Sequence, residues 1–330
     1  MNSMQRIQFT IQGREKDRIA ISLTLSLYGA RLTQCPLHTY YTDPDAYARG
    51  QLAICHSCPT DILFGPFALP LEGRVFGSEI LYFEKSPPNL KKPVFSTSED
   101  IQKLKLPDMD SHPVLQYMFQ AIRKMKENHG DEMPIAAIAL TPVDLPVMLF
   151  GIHSWLEVLL FFRKEAEQLI KMLIPYSIEK MNRLFESGAS FLVIPCAFTN
   201  PTIVTREIIE ETTLPVLKEV FQEIQGPLVL HSSGAPIMPF LDLFSELRNV
   251  IGFVLNADED IREARRRTGP GKILIGNIDG PSLGRLSREE VFQERQKVLM
   301  EFGEDPGFIL GTSGADIAYD TPVENIQAFQ

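Results

Sequence analysis

The sequence predicts an α/β protein: a (β/α)8 TIM barrel with an N-terminal antiparallel excursion. Two observations point there. Eight short apolar or β-branched runs recur along the 330 residues, each followed by a helical pattern. Continuous apolar runs of 4–8 residues bounded by turn residues suit strands buried on both faces of a parallel sheet. The rival arrangement, an open doubly wound sheet, should carry a glycine-rich phosphate loop after its first strand. Residues 24–30 hold only Gly29, so neither a GxGxxG fingerprint nor a P-loop is present. Length alone allows two domains, but eight strand–helix units fill one barrel, so a single domain over 1–330 is expected.

The expected strands are, in order, 18–25, 61–64, 135–140, 191–194, 227–230, 251–255, 272–275 and 307–310. Between the second and third, residues 71–95 alternate polar and apolar side chains and then carry Pro87, Pro88 and Pro93, which reads as a small antiparallel excursion plus a loop. Residues 157–187 form a long amphipathic helix that stops before Gly188, and Thr205 opens the next helix. Asp258 reads as the first-turn acid of a helix over 261–267. Ser287 with Glu290 makes a capping box ahead of Val291, and Thr321-Pro322 opens the last helix.

Composition narrows the function. Hydrophobic residues are 44% and charged residues 22% of the chain, as in a globular protein with a sizeable core. Acidic residues outnumber basic ones, 42 to 32, a net charge of -10 that argues against nucleic acid as a partner. Residues 1–18 are polar and lack the apolar core of a signal peptide, and the most apolar stretch, 145–162, is broken by Pro146, His153 and Glu157. A soluble cytoplasmic protein without membrane contact is expected, with its four cysteines as free thiols.

Barrel chemistry sits at the carboxyl ends of the strands. The side chains there are Ser26 and Tyr28; Thr141 and Asp144; Cys196 and Asn200; His231, Ser232 and Ser233; Asn256 and Asp258; Asn277 and Asp279; and Thr312, Ser313 and Asp316. Any one Asn or Asp in such a place can simply cap a helix or hold a turn; several converging on one mouth point to a site. His231 reads as a satisfied structural histidine, a substrate contact or a metal ligand. Cys196 reads as a small buried hydrophobe or, with His231, as part of an unusual metal site. Cys55-His-Ser-Cys58 has CxxC spacing but no second pair and falls in a helix. Arg262 and Arg265–Arg267 read as a solvated helix face, or as a dock for an acidic partner. Trp155 is assigned to packing.

His231-Ser-Ser-Gly, Gly276-Asn-Ile-Asp-Gly, and the block from Ile309 through Gly-Thr-Ser-Gly-Ala-Asp-Ile-Ala-Tyr-Asp-Thr-Pro to Ile326 resemble the uroporphyrinogen decarboxylase superfamily. Asp17-Arg18, Thr42-Asp43-Pro44 and Gly188-Ala189 fit it too, so the resemblance covers nearly the whole chain. It implies a (β/α)8 barrel, and relatives usually continue beyond the position of Gln330, so either a short final helix or a trimmed C-terminus is expected. The decarboxylases grip their polyacidic substrate with an arginine-rich Met-Arg-Gln-Ala-Gly-Arg-Tyr motif. The matching stretch here, residues 23–31, offers only Arg31, too little for a substrate with many carboxylates.

The resemblance then points to the cobamide-dependent methyltransferase branch. Its thiol-methylating members bind zinc through His-x-Cys and a later cysteine; Ser233 and Ala315 (or Gly314) stand at those cysteine positions. This implies a branch member that needs no zinc and an acceptor that is not a thiol, namely tetrahydrofolate through N5. Methylcobalamin, carried on a corrinoid protein, would be the donor. Asn277, Asp279 and His231 are the expected catalytic residues. Asn200, Asn256, Asp258, Cys196, Thr141 and Ser313 are the expected substrate contacts, because a pterin edge calls for carboxylates, carboxamides and hydroxyls. The alternatives are a methylcobamide:thiol (coenzyme M-like) methyltransferase with an atypical metal site, a uroporphyrinogen decarboxylase-like lyase, and a non-catalytic partner that only docks a corrinoid protein.

Overall fold

The computed structural model describes residues 1–129 and 131–330. Its strands are β1 Ala20–Ser22, β2 Leu63–Phe64, β3 Glu79–Leu81, β4 Asn89–Lys92, β5 Ile135–Ile138, β6 Phe191–Pro195, β7 Leu228–His231, β8 Val250–Val254, β9 Ile273–Asp279 and β10 Phe308–Ser313. Eight of them form one parallel sheet in the order β1-β10-β9-β8-β7-β6-β5-β2, while β3 and β4 pair antiparallel as a separate ribbon. Each of the eight overlaps one of the apolar runs expected to be a strand.

The outermost strands of that order meet across Asp61. Its amide donates to the Ile21 carbonyl at 2.7 Å, and the Ile21 amide donates to Asp61 Oδ2 at 2.9 Å. Asp61 thereby bridges the two ends of the sheet order, as closure into a barrel requires, although β1 and β2 form no ladder of their own.

Side chains along each barrel strand alternate between two apolar clusters. Ala20, Phe64, Val193, Val229, Ile275 and Ile309 pack with one another and with Ile7 of the first helix, Ser3–Ile11; they fill the barrel interior. The intervening Ile21, Leu63, Leu192, Leu230, Leu274 and Leu310 join the cluster that includes the surrounding helices. This period of two is what a strand buried on both faces requires. It places His231, two residues after Val229, on the interior side, and Cys196 in the outer layer.

The helices depart from the sequence reading in three places. Residues 157–187 are not one helix: Ile152–Phe161 and Arg163–Glu186 are separated at Phe162, whose φ of -126° and ψ of 54° lie outside the helical region. The cap of Ile261–Thr268 is Asp260, whose side chain accepts from the amides of Arg262 and Glu263, whereas Asp258 lies in the preceding turn. The excursion begins as a helix, Pro70–Val75, before β3 and β4. Gly73 lets that helix approach the chain beneath it: a Cβ there would stand 2.5 Å from the Met148 carbonyl oxygen. The Ser287–Glu290 capping box forms as expected, and the last helix is short, Val323–Gln327. No helix among the described residues is long and apolar enough to cross a membrane.

Candidate active site

A cleft of about 580 Å³ lies over the carboxyl ends of the strands. Phe198 after β6, Ser233 after β7, and Ala315 and Asp316 after β10 form one side. Phe67 after β2, and Phe83 and Pro87 of the β3–β4 connection, form the other. The walls are mostly apolar, with a few polar groups, as in small-molecule sites. No lysine or arginine lines it among the described residues. Arg31 is engaged elsewhere: its guanidinium donates to the carbonyls of Tyr319 and Thr321 and lies over the Tyr28 ring.

His231 ends β7 inside the barrel. Ser233, at φ 55°, turns its amide back to donate to His231 Nδ1 at 2.8 Å. An imidazole that accepts at Nδ1 carries its proton at Nε2, and Nε2 is buried with no partner among the described residues. Burial holds the ring neutral, its pKa lowered to about 4. The edge-on Phe67 ring, with its centroid 5.8 Å away, connects the imidazole to the cleft wall. His231 is thus a neutral donor below the cleft.

Most of the other strand-end polar groups hold the loops. Asp144 accepts from Thr141 Oγ1 at 3.1 Å, Thr199 Oγ1 at 2.8 Å and the Phe198 amide at 3.0 Å, tying the β5 end to the β6 loop. Burial still raises its pKa to about 6. The Asn200 amide nitrogen donates to the Ala197 carbonyl at 2.8 Å, and its oxygen accepts from Thr202. Asn277 Nδ2 lies within hydrogen-bond distance of the carbonyls of Asn256, Ala257 and Glu259. Glu259 accepts from the amides of Ile237, Met238 and Asn256, which links the β7 and β8 loops. Ser313 Oγ reaches the Ile278 carbonyl at 3.5 Å. The Cys196 thiol is pushed well above its usual pKa by burial and stays protonated.

The expected site residues therefore fall into two groups. Thr141, Cys196, Asn200, His231 and Ser313 are buried at the strand ends and do not line the main cleft, although Ala197, Ser233 and Gly314 beside three of them do. Asp258, Asn277 and Asp279 line a neighbouring hollow of about 560 Å³ between the β8 and β9 ends and the helix Arg288–Phe302, with Asn256 at its rim. Asp279 stands nearest the boundary: its Oδ1 lies 3.3 Å from where a Cβ on Gly314 would sit. Two features lie outside the expected catalytic and substrate-contact residues. The β3–β4 connection supplies a wall. Asp316, one of many strand-end acids in the sequence, is a buried carboxyl group in the cleft itself. Its signal is an acid set among Gly314, Ala315, Ile317 and Ala318 directly after a buried strand.

Zinc does not fit this donor set. Ser233 and Ala315 supply no thiolate, Cys196 lies on the other face of the sheet from His231, and no group of three or more His, Cys, Asp or Glu among the described residues is arranged to hold a metal.

A profile of the uroporphyrinogen decarboxylase (URO-D) family matches residues 2–330. The chain belongs to the URO-D family. Among its URO-D relatives, a uroporphyrinogen decarboxylase from Pseudoalteromonas atlantica is 28% identical over 263 residues, 76% of this chain and 71% of that protein. The methylcobamide:CoM methyltransferase MtbA of Methanosarcina acetivorans is 26% identical over 272 residues, 79% of this chain and 76% of that one. A solved methyltransferase structure from Methanosarcina mazei covers all of this URO-D chain with a TM-score of 0.88 at 19% identity, and 97% of that chain is covered in return. That likeness establishes the (β/α)8 fold.

Proposed function

We propose that this URO-D family member is a corrinoid-dependent methyltransferase that moves a methyl group between a methylcobamide, carried on a corrinoid protein, and N5 of tetrahydrofolate, without zinc. The observation that carries the reading is the composition of the cleft. A strand-end histidine lies behind Phe67 of its wall, serine and alanine stand where a zinc site would need thiolates, and no cationic side chain among the described residues lines it. A metal or a neighbouring cation turns a thiol acceptor into a thiolate at neutral pH; an amine nitrogen has its lone pair already. A porphyrinogen with several carboxylates needs guanidinium or ammonium partners, and Arg31 is held by main-chain carbonyls. Relatives named as methylcobamide:CoM methyltransferases support the methyl-transfer class.

When bound, the cobamide supplies an electrophilic methyl group on cobalt. This chain's residues do the rest. Phe67, Phe83 and Phe198 exclude water and stack on a flat bicyclic ring, and His231 offers an N–H from below. The test is to mix the protein with methylcobalamin and tetrahydrofolate and follow the cobalamin visible spectrum. Loss of the methylcobalamin bands with folate is expected. No change with folate but turnover with coenzyme M would overturn the acceptor assignment, as would stoichiometric zinc in protein purified without chelator. Release of carbon dioxide from a carboxylated substrate without any corrin would favour the lyase alternative.

A further inference from the structure

Five acidic side chains are buried among the described residues: Asp61, Glu72, Asp144, Glu259 and Asp316. Four have a full set of partners. Asp61 faces Arg6 and Arg18, Glu72 faces Lys180, Asp144 accepts from two hydroxyls and an amide, and Glu259 accepts from three amides. Asp316 has the amide of Leu27, at 3.3 Å, with that of Ser26 beside it, and no cation. A buried carboxyl group so poorly supplied with donors keeps its proton. Burial pushes its pKa up to about 8. A protonated carboxyl group needs an acceptor for its O–H; no acceptor for it occurs among the side-chain hydrogen bonds of the described residues, and the cleft adjoins it.

We propose that Asp316 is the acid–base residue that gives a proton to, and takes one from, N5 of the folate. This rests on the folate reading above. Chemistry requires such a group: a deprotonated amine nitrogen is too basic to leave a methyl carbon, so N5 must be protonated as its bond to methyl breaks. From methyltetrahydrofolate, the Asp316 O–H bond breaks and N5–H forms. The cobalt(I) of the cosubstrate attacks the methyl carbon with its electron pair, C–Co forms, and the C–N5 pair returns to nitrogen. In the opposite direction the N5 lone pair takes the methyl group, the C–Co pair leaves with cobalt, and the N5 proton passes to the Asp316 carboxylate. The ionisable groups around Asp316 are Tyr40 and Tyr41, both kept protonated by burial, neutral His231 on the β7 side, and Asp279 beside Gly314. Lys85, on the β3–β4 side, is paired with Asp320.

The test is rapid mixing of cob(I)alamin with methyltetrahydrofolate, read by the visible spectrum, for wild type, Asp316→Asn and Asp316→Glu, with folate affinity measured separately. Asp316→Asn preserves the acceptor for Leu27. It should slow methyl transfer about 10²- to 10⁴-fold with folate affinity within about threefold of wild type, and Asp316→Glu should recover part of the rate. The wild-type rate should fall as pH rises through about 8, with that break absent in Asp316→Asn. A near-wild-type rate in Asp316→Asn, an unchanged pH break, or a loss of affinity with the bound rate intact each overturns the proton role while leaving the folate reading standing. Wild-type protein that neither binds nor demethylates the folate overturns both.

Discussion

At the residue scale, His231 and Asp316 load the fold in opposite directions with pH. The His231 pKa falls from 6.5 to about 4 on folding, so the unfolded chain binds the extra proton. Stability is full above 6.5 and is lost as pH drops toward 4, by a few kcal/mol in order of magnitude. The Asp316 pKa rises from 3.8 to about 8. Its stability is full below 3.8 and is lost as pH climbs through 8, again by a few kcal/mol. Asp316→Asn, which cannot ionise, should therefore raise the thermal midpoint relative to wild type at pH 8 and leave it nearly unchanged at pH 4, as calorimetry at the two pH values will read. Asn277→Ala should lower stability by about 1–3 kcal/mol by leaving the loop carbonyls unpaired. The place of His231 at the end of β7 was legible because it directly follows the apolar run 227–230. Asn200 and Asn277 illustrate the opposite problem. A carboxamide after a strand has the same sequence signature whether it reads a ligand or its own loop, and only the carbonyl geometry separates the two.

At the element scale, the eight barrel strands were legible because each is a short apolar run cut off by turn residues, and burial on both faces leaves little else for such runs to be. The break at Phe162 was not, because no glycine or proline marks it and residues of good helix propensity stand on both sides of it. Three consecutive acids, Asp258-Glu259-Asp260, hid which one caps the helix; the answer depends on where the chain leaves β8. Closure of the barrel was also invisible in sequence, since it depends on one carboxylate reaching main chain and arginines far along the chain. Asp61 Oδ1 accepts from Arg6 at 2.5 Å, and Asp61 Oδ2 accepts from Arg18 at 2.7 Å. Asp61→Asn leaves the buried Arg6 short of one counter-charge and should cost about 3–5 kcal/mol, measured as a lower midpoint in urea with an unchanged slope.

At the scale of the whole molecule, the two ends of the barrel do different work. The Arg6–Asp61–Arg18 cluster lies where β1 and β2 begin, at the amino ends of the strands, and the cleft lies at the other end. This is the usual division of such barrels between stability and chemistry. The β3–β4 ribbon belongs to the second end without belonging to the barrel. Its strands are largely exposed and pair only with each other, yet its connection carries Phe83 and Pro87 into the cleft. Replacing residues 82–88 by a short Gly-Ser connection should leave the circular dichroism and thermal midpoint nearly unchanged. It should raise KM for the acceptor roughly ten- to a hundredfold, the worth of one aromatic contact. One wall of the cleft thus stands on a ribbon outside the eight-stranded sheet, and an engineer who wants a differently shaped cleft has a graft site with natural borders.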